Sequence, residues 1–442
     1  MTDFLKRLQM FAAGNVVNYS GDGTDSNAGA YNVNSGSTVT TGDLSAEMKT
    51  FYEKALIELA TPNLVHDQFA KKKPIPRNGG RNIEFRKFSK LPKATQPITE
   101  GVTPDGKHMH VDTITASINQ YGDYIEQTDL LEITAIDNTI VEATKELASQ
   151  AGLTLDTIVR DALNTGTTAR FAPKDNGNGT YTAISARSAL TKDCPLRVKD
   201  VFLAAADLKS VDAPKIGDSY VAIIHPKVSY QLMQEAGSAW VDIHKYKNPE
   251  NIYRGEIGSI GGVRFVESSE AKIYAPKIIS DGKNRLTVKT SLDSSGTSLT
   301  VKEVLTAGTY SGANKITCYI NGTKNYITAI ANNTTYSTLT LENSVSTTDG
   351  AAGNMVCGDG AGKDGSAVFS TIFIGEGAYA TTELTGGGLE HIVKQRGYGN
   401  DPLNQRSSIG WKATKTTAIL IPEYILRYES TSPDLSLVTD EN

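Results

Sequence analysis

The sequence predicts an α+β protein carrying a smaller all-β segment within it. Three observations carry this. A helical period runs unbroken from Thr134 to Leu163. Short apolar strands alternate with helical stretches from about residue 196 to 276. From 277 to 366 the helical patterns stop, and short alternating strands recur. The chain has 442 residues, 39% of them hydrophobic and 21% charged, which is too apolar for a disordered chain and polar for a globular one. That length suggests about three structural units.

Charge and cysteine usage remove several function classes. The net charge is −5, so the chain as a whole is not a basic nucleic-acid binder. No apolar run approaches the ~18 residues of a membrane-spanning helix. The first residues, MTDFLKRLQMFAAG, break their apolar stretch with Lys6, Arg7 and Gln9, which argues against a secretory signal. Cys194, Cys318 and Cys357 are odd in number and far apart, which suits neither a disulfide framework nor a zinc site built on paired cysteines.

Taken in order, residues 14–43 are rich in Gly, Asn, Ser and Thr, with no Lys or Arg. Alone, they cannot bury enough apolar surface to offset the entropy of ordering, so they read as a flexible arm. In DLSAEMKTFYEKALIELATP, Leu44, Met48, Phe51, Tyr52, Ala55, Leu56 and Leu59 share one helical face, with Pro62 past the end. Residues 71–120 hold two strand patterns. One has Ile83, Phe85 and Phe88, the other Val111, Ile114, Ala116 and Ile118, and about 20 polar residues join them. They predict a two-stranded ribbon, which is marginal in water unless it lies against something else.

The 134–163 helix has Thr134 and Asp137 in a capping pattern and Gly166 as a stop. Ile140, Thr144, Leu147, Ala151, Leu155, Ile158 and Ala162 form its stripe. A hairpin follows around Asn178-Gly179. Next come a helix with Val198, Val201, Phe202, Ala205 and Leu208 on one face, the strand SYVAIIHP and the helix KVSYQLMQEAG. Within 277–366, LTVKTSL, SLTVKEVL, KITCYI, NYITAI and STLTLEN read as strands of a small sandwich or barrel, with Asn321-Gly322 as a hairpin turn. AVFSTIFIGEGAYAT resumes the interrupted unit. In AILIPEYILRYE, Pro422 suits an edge or bulge better than a sheet centre.

No catalytic constellation stands out, and no enzyme activity or cofactor is expected. Gly360, Gly362 and Gly365 match a dinucleotide pattern but open no helix. His108 and His110 lack further ligands nearby for a metal. The sharpest feature is electrostatic: from Lys71 to Lys93 nine basic residues face one acid, Glu84. Three readings stay open for it. They are nucleic-acid binding, a solvated basic strand, and docking onto an acidic surface of another copy.

The order arm, helix, basic ribbon, long helix, α+β unit and return strand carries a resemblance. The segments LSAEMKTFYEKALIELATPNLVHDQFA, KKKPIPRNGGRNIEFRKF, ITEGVTPDG, QYGDYIEQTDLLEITAID, YKNPENIYRGEIGSIGGVRFVESSEAKIY and DPLNQRSSIGWKATKT resemble the major capsid proteins of tailed bacteriophages, in the family named after the phage N-four coat protein. They span about residues 44–276 and 367–430, and GEIG and DPLNQR with GWK are the most telling.

The resemblance implies an HK97-like capsid fold. Residues 1–70 would be the N-terminal arm and first helix, and 71–120 the E-loop. Residues 121–195 with 385–442 would form the peripheral domain with its spine helix, and 196–276 with 367–384 the axial domain. Residues 277–366 depart from the family pattern. They are expected to be an inserted β-domain on the outer surface, so deletion of 278–365 should leave assembly intact.

The implied function is a structural one, an icosahedral shell of hexamers and pentamers around double-stranded DNA. The implied partners are other copies, portal and scaffolding proteins, decoration proteins, and DNA held without sequence preference; no membrane is implied. The implied location is the virion, and the host cytoplasm during assembly. Lys73, Arg77, Arg81, Arg86 and Lys87 are the expected inter-subunit contacts. Gly255, Glu256, Gly258, Asp401 and Trp411 lie in the motifs as structural residues. The alternatives are a nucleic-acid-binding protein acting through residues 71–93 and a bacterial surface or adhesive β-protein.

Overall fold

The computed structural model describes residues 64–432, apart from 76–80, 89–90, 92, 96, 98–99, 101–105, 131–138, 237–240, 243–254, 363–364, 384–388, 395 and 398–402. The arm, the first helix, the Thr134–Asp137 cap, Arg77 and Asp401 therefore lie outside the described residues. The described residues mix helix and sheet. They fall into two compact units, one ending at Val159 and resuming over Tyr379–Leu420, the other covering Arg160–Ala378 and resuming at Ile421.

In the first unit, β1 (Lys71–Lys73) is followed by β2 (Asn82–Phe88), β3 (Val111–Ser117), β4 (Asn119–Thr128) and the long helix α1 (Thr139–Asn164). The chain returns as β5 (Tyr379–Thr382), β6 (Leu389–Lys394), β7 (Arg406–Lys415) and β8 (Thr417–Ile419). At 1.5 Å per residue, α1 is about 39 Å long. Ala143, Leu147, Ala148, Ala151 and Leu155 form its apolar stripe, in one buried cluster with Leu64, Leu389, Ile409, Trp411 and Ala413. The last four come from one face of the antiparallel sheet β6-β7-β4. Small side chains on α1 let a helix come close to a sheet, which explains the Ala-rich stripe. The indole of Trp411 donates to Gln150 Oε1 at 3.2 Å, and Gln150 in turn donates to Asp123 at 2.7 Å, so polar bonds fix the same packing.

β2 and β3 pair antiparallel over seven residues, from Asn82–Ser117 to Phe88–Val111. No third strand joins them among the described residues. Ile83 and Phe85 are buried, as the alternation predicts. β3 runs on through Ile118 into β4, so the ribbon and the three-stranded sheet share one continuous chain path.

The second unit is built on a mixed sheet with the order 169–171, 425–430, 368–374, 220–224, 263–267, 256–260, 241–242. Tyr220–Ile224 and Val368–Ile374 are buried at every position, which is why they read as continuous apolar runs without alternation. Phe265, Phe373 and Tyr428 meet edge-on in the core, with ring centroids 6.4 Å apart in each pair. Helices α2 (Val198–Ser210) and α3 (Pro226–Ala236) bury Val201, Ala204, Ala205 and Leu208, and Val228, Leu232 and Ala236. Phe202, expected on the inner face, is 51% exposed. The buried stripe centres on Ala204 and Ala205, and Phe202 falls at its margin.

The tail also differs from expectation. Pro422 sits in a 3-10 turn between two strands rather than inside one. Past that turn, Ile425–Ser430 pairs antiparallel with Val368–Ile374 and parallel with Ala169–Phe171. Arg427 donates to the carbonyls of Asn164 and Gly166 at the end of α1, where a cation suits the helix dipole. The sheet thus draws this strand and residues 160–195 into one unit with 220–374, across the boundary expected at 195.

Between Arg285 and Gly358 the strands form a separate seven-stranded antiparallel sheet. Its two outer strands, Arg285–Thr287 and Gly296–Val301, meet through a Val288–Val301 bridge. Lys289 N–H donates to the Thr300 carbonyl and Lys302 N–H to the Thr287 carbonyl, both at 2.8 Å. The sheet therefore closes on itself as a barrel and has no long free edge. Leu286, Val288, Leu299, Val301, Ile327 and Leu339 are among the side chains filling it. Its two chain ends lie together, Lys277 N–H donating to the Asp359 carbonyl at 2.9 Å.

Candidate functional site

The ribbon and the strands beside it hold the described residues expected to make inter-subunit contacts, and the structure sorts those residues into two kinds. Lys73 and Arg81 are used inside the chain. The ammonium of Lys73 donates to the Glu84 carbonyl oxygen and lies 5.6 Å from the Phe85 ring centre. Arg81 donates to the Ile118 carbonyl at 3.4 Å and to Asn119 Oδ1 at 3.3 Å, bracing the base of the ribbon. Arg86 is exposed and Lys87 half-exposed, on opposite faces of β2. Neither they nor the exposed Lys93 and Lys107 have an ion-pair or hydrogen-bond partner among the described residues. Of the four described candidates, the two without a partner among the described residues, Arg86 and Lys87, lie away from the ribbon's base.

Gly255, Glu256, Gly258 and Trp411 are the motif residues that fall within the described residues. Gly255 has φ +74°, and a Cβ there would lie 2.7 Å from the Glu267 carbonyl oxygen. That position excludes side chains, since both backbone conformation and space are against them. Glu267 N–H donates back to the Gly255 carbonyl at 2.7 Å. Glu256 is buried, with Arg264 at 3.6 Å across the same hairpin, and Gly258 follows a break in the strand register. Trp411 belongs to the α1 packing described above.

Sequence reasoning missed a buried polar cluster in the first unit. His66 and Asp67 follow two apolar residues, Leu64 and Val65, and come just before Phe69, and that apolar setting is the signal that marks them as buried. Asp156 of α1 accepts from the His66 backbone N–H at 2.7 Å, and its other oxygen lies 2.6 Å from His66 Nδ1. Asp67 accepts from Lys415 and, at 2.9 Å, from Thr381; Lys72 lies 3.3 Å away. Tyr379 donates to the His66 carbonyl. Burial pushes the Asp67 carboxyl up, but Lys415 and Lys72 pull harder and leave it below the usual carboxylate range. Burial lowers Lys415, and Asp67 offsets only part of that. The cluster fastens residues 66–73 to α1, β5 and β7.

The described residues hold no group of three or more His, Cys, Asp or Glu side chains that could bind a metal. His110 lies 3.0 Å from Asp112, and both are exposed. The three cysteines are free and buried; burial pushes Cys318 up to about 12, far from a reactive thiolate. Among the described residues, no helix is long and apolar enough to cross a membrane.

No protein-family model matches the chain, and no curated protein matches it in sequence. Among solved structures it is similar to the capsid of Ralstonia phage GP4, at 12% identity and a TM-score of 0.45, over 80% of this chain and 84% of that one. The capsid of cyanophage P-SCSP1u is similar at 15% identity and a TM-score of 0.44, over 82% and 87%. An encapsulin complex from Synechococcus elongatus is similar at 6% identity and a TM-score of 0.40, over 83% and 86%.

Proposed function

We propose that this chain is a structural shell subunit, a major capsid protein of the HK97-like type that assembles around the double-stranded DNA of a tailed phage. One observation carries the reading. A two-stranded ribbon, in a chain whose segments resemble that family, presents Arg86, Lys87, Lys93 and Lys107 with no partner among the described residues. Cations gathered on a ribbon that pairs with no third strand suit a contact with another copy.

In this reading the ribbon is the E-loop, α1 the spine helix, and the mixed sheet of the second unit the core of the axial domain. The barrel over 285–358 is an inserted domain on the outer face. Heterologous contacts close hexamers and pentamers, and many weak contacts acting together hold the shell. A net charge of −5 suits a wall that confines DNA without binding it tightly. Portal, scaffolding and decoration proteins are the further partners, and the role is not enzymatic.

Negative-stain electron microscopy of the purified protein tests this. Closed shells, tubes or capsomer rings are expected. Dispersed monomers, with and without scaffold-containing lysate, would overturn the reading. A salt-sensitive gel shift by those monomers would favour nucleic-acid binding instead.

A further inference from the structure

Asparagine followed by glycine carries a reaction of its own. The glycine amide nitrogen, with no Cβ beside it, can attack the side-chain amide carbon of the asparagine. Three such pairs fall within the described residues, Asn176-Gly177, Asn178-Gly179 and Asn321-Gly322; a fourth, Asn78-Gly79, lies outside them. Asn178 and Asn321 both begin Asn-Gly-Thr, so a difference between those two comes from the fold.

Asn321 and Gly322 turn the chain between the paired residues Ile320 and Thr323, with φ of +47° and +86°. Asn321 is half-buried, and its Nδ2 donates to Asp349 Oδ1 at 3.0 Å. The leaving nitrogen is therefore held, and a carboxylate stands beside the group on which negative charge must develop. At Asn176 both reacting groups are engaged. Nδ2 donates to the hydroxyls of Thr180 at 3.2 Å and Thr182 at 3.1 Å, and the Gly177 N–H donates to Asp175 Oδ1 at 2.8 Å.

Asn178 has the opposite arrangement. It sits at the exposed tip of the hairpin that pairs Lys174 with Thr182 and Asp175 with Tyr181. Neither its Nδ2 nor the Gly179 N–H has a partner among the described residues. Its Oδ1 accepts twice from Thr180, from the backbone N–H at 3.2 Å and from the hydroxyl at 2.5 Å. Those bonds fix the oxygen on the Thr180 side and leave the nitrogen free to depart. They also polarise the side-chain carbonyl and are placed to stabilise the oxyanion that attack would create.

We infer that Asn178 is a self-modification site, at which the chain converts its own asparagine to aspartate and isoaspartate. The Gly179 nitrogen gives up its proton to solvent base and bonds to Asn178 Cγ, the Cγ–Nδ2 bond breaks, and ammonia leaves with a proton from water. Water then opens the cyclic imide at either carbonyl. One route gives aspartate; the other gives isoaspartate, with one extra methylene in the main chain. Each adds a negative charge at the hairpin tip of a chain whose net charge is −5. Older subunits are therefore more acidic than new ones, and this chemistry is independent of shell assembly.

Peptide mass spectrometry of the full-length protein, incubated at mildly alkaline pH, tests this. Conversion adds about 1 Da, and fragment ions separate residue 178 from residue 176. In the native protein Asn178 should convert about tenfold faster than Asn176 or Asn321. In urea, where the hydrogen bonds above are lost, the three rates should converge to within about twofold. Thr180→Val keeps the backbone N–H and removes the hydroxyl. It should slow residue 178 about five- to tenfold in the native protein and leave the rate in urea unchanged. Native conversion at Asn178 no faster than at the other two, or an unchanged native rate in Thr180→Val, would overturn the assignment.

Discussion

The Asp67–Lys415 pair allows a worked prediction. Asp67 is 1% exposed and Lys415 0%, so each charge depends on the other for its solvation. Lys415→Met strands the Asp67 carboxylate, but Thr381 at 2.9 Å and Lys72 at 3.3 Å remain to bond it. Removing one partner of a buried pair costs about 3–5 kcal/mol, and this variant should fall near the lower end. Asp67→Asn strands the ammonium without a counter-charge from residue 67, leaving the Thr382 carbonyl at 3.3 Å and the neutral amide oxygen as acceptors. It should fall near the upper end of the same range, at about 4–5 kcal/mol. The double variant strands no charge and loses only hydrogen bonds, for about 2 kcal/mol. The two single costs therefore exceed the double by about 5 kcal/mol, far beyond the ~0.5 kcal/mol scatter of independent sites. Hydrogen exchange of peptides covering 64–73 and 406–419 reads the local opening free energy at neutral pH. Additive costs, or single losses below about 1 kcal/mol, would refute the view that this pair fastens the start of the first unit.

Three further outcomes are expected. Burial lowers His391 to about 4, and burial with Lys227 lowers His225 to about 4, whereas an unfolded histidine titrates near 6.5. The unfolded chain therefore binds protons that the fold refuses, and stability should fall as pH drops from 6.5 towards 4, by about 3 kcal/mol per histidine. Urea titrations across that range should show this slope, and His225→Asn should remove one proton's share; a flat profile contradicts the assignment. Gly255→Ala should destabilise by about 1–3 kcal/mol in thermal melts, since it forces a side chain into the left-handed region against the Glu267 carbonyl. Leu299→Ala in the barrel core should cost about 2–5 kcal/mol in exchange of residues 285–358 and leave exchange of 220–224 unchanged; parallel loss in both would show that the barrel does not unfold separately.

Elements built on local periodicity were legible in the sequence. The α1 stripe and the β2–β3 alternation follow from side-chain spacing alone, and the buried residues Leu147, Ala151, Leu155, Ile83 and Phe85 sit where spacing places them. What required long-range pairing was not legible. Barrel closure depends on Val288 meeting Val301, and the Asp67–Lys415 contact joins residues 348 apart. Neither leaves a local trace. Phe202 misled because helical spacing gives a stripe's direction but not its width. Among the candidate contacts, residue type alone did not separate Lys73 and Arg81, which bond within the ribbon base, from Arg86 and Lys87, which do not. That difference comes from the neighbouring carbonyls of Glu84 and Ile118.

The junction at Lys277 and Asp359 has a consequence for evolution and engineering. Two chain ends held side by side make a socket, and whatever closes the roughly 4.8 Å gap between neighbouring strands can sit in it. Ala361 is buried and Gly362 packs against the Leu190 carbonyl, so the socket's rim reaches past residue 358, and an exchange should replace 278–357 rather than 278–365. A lineage could then trade the barrel for a short turn, or for a module of another specificity, while the mixed sheet beneath keeps its strand order.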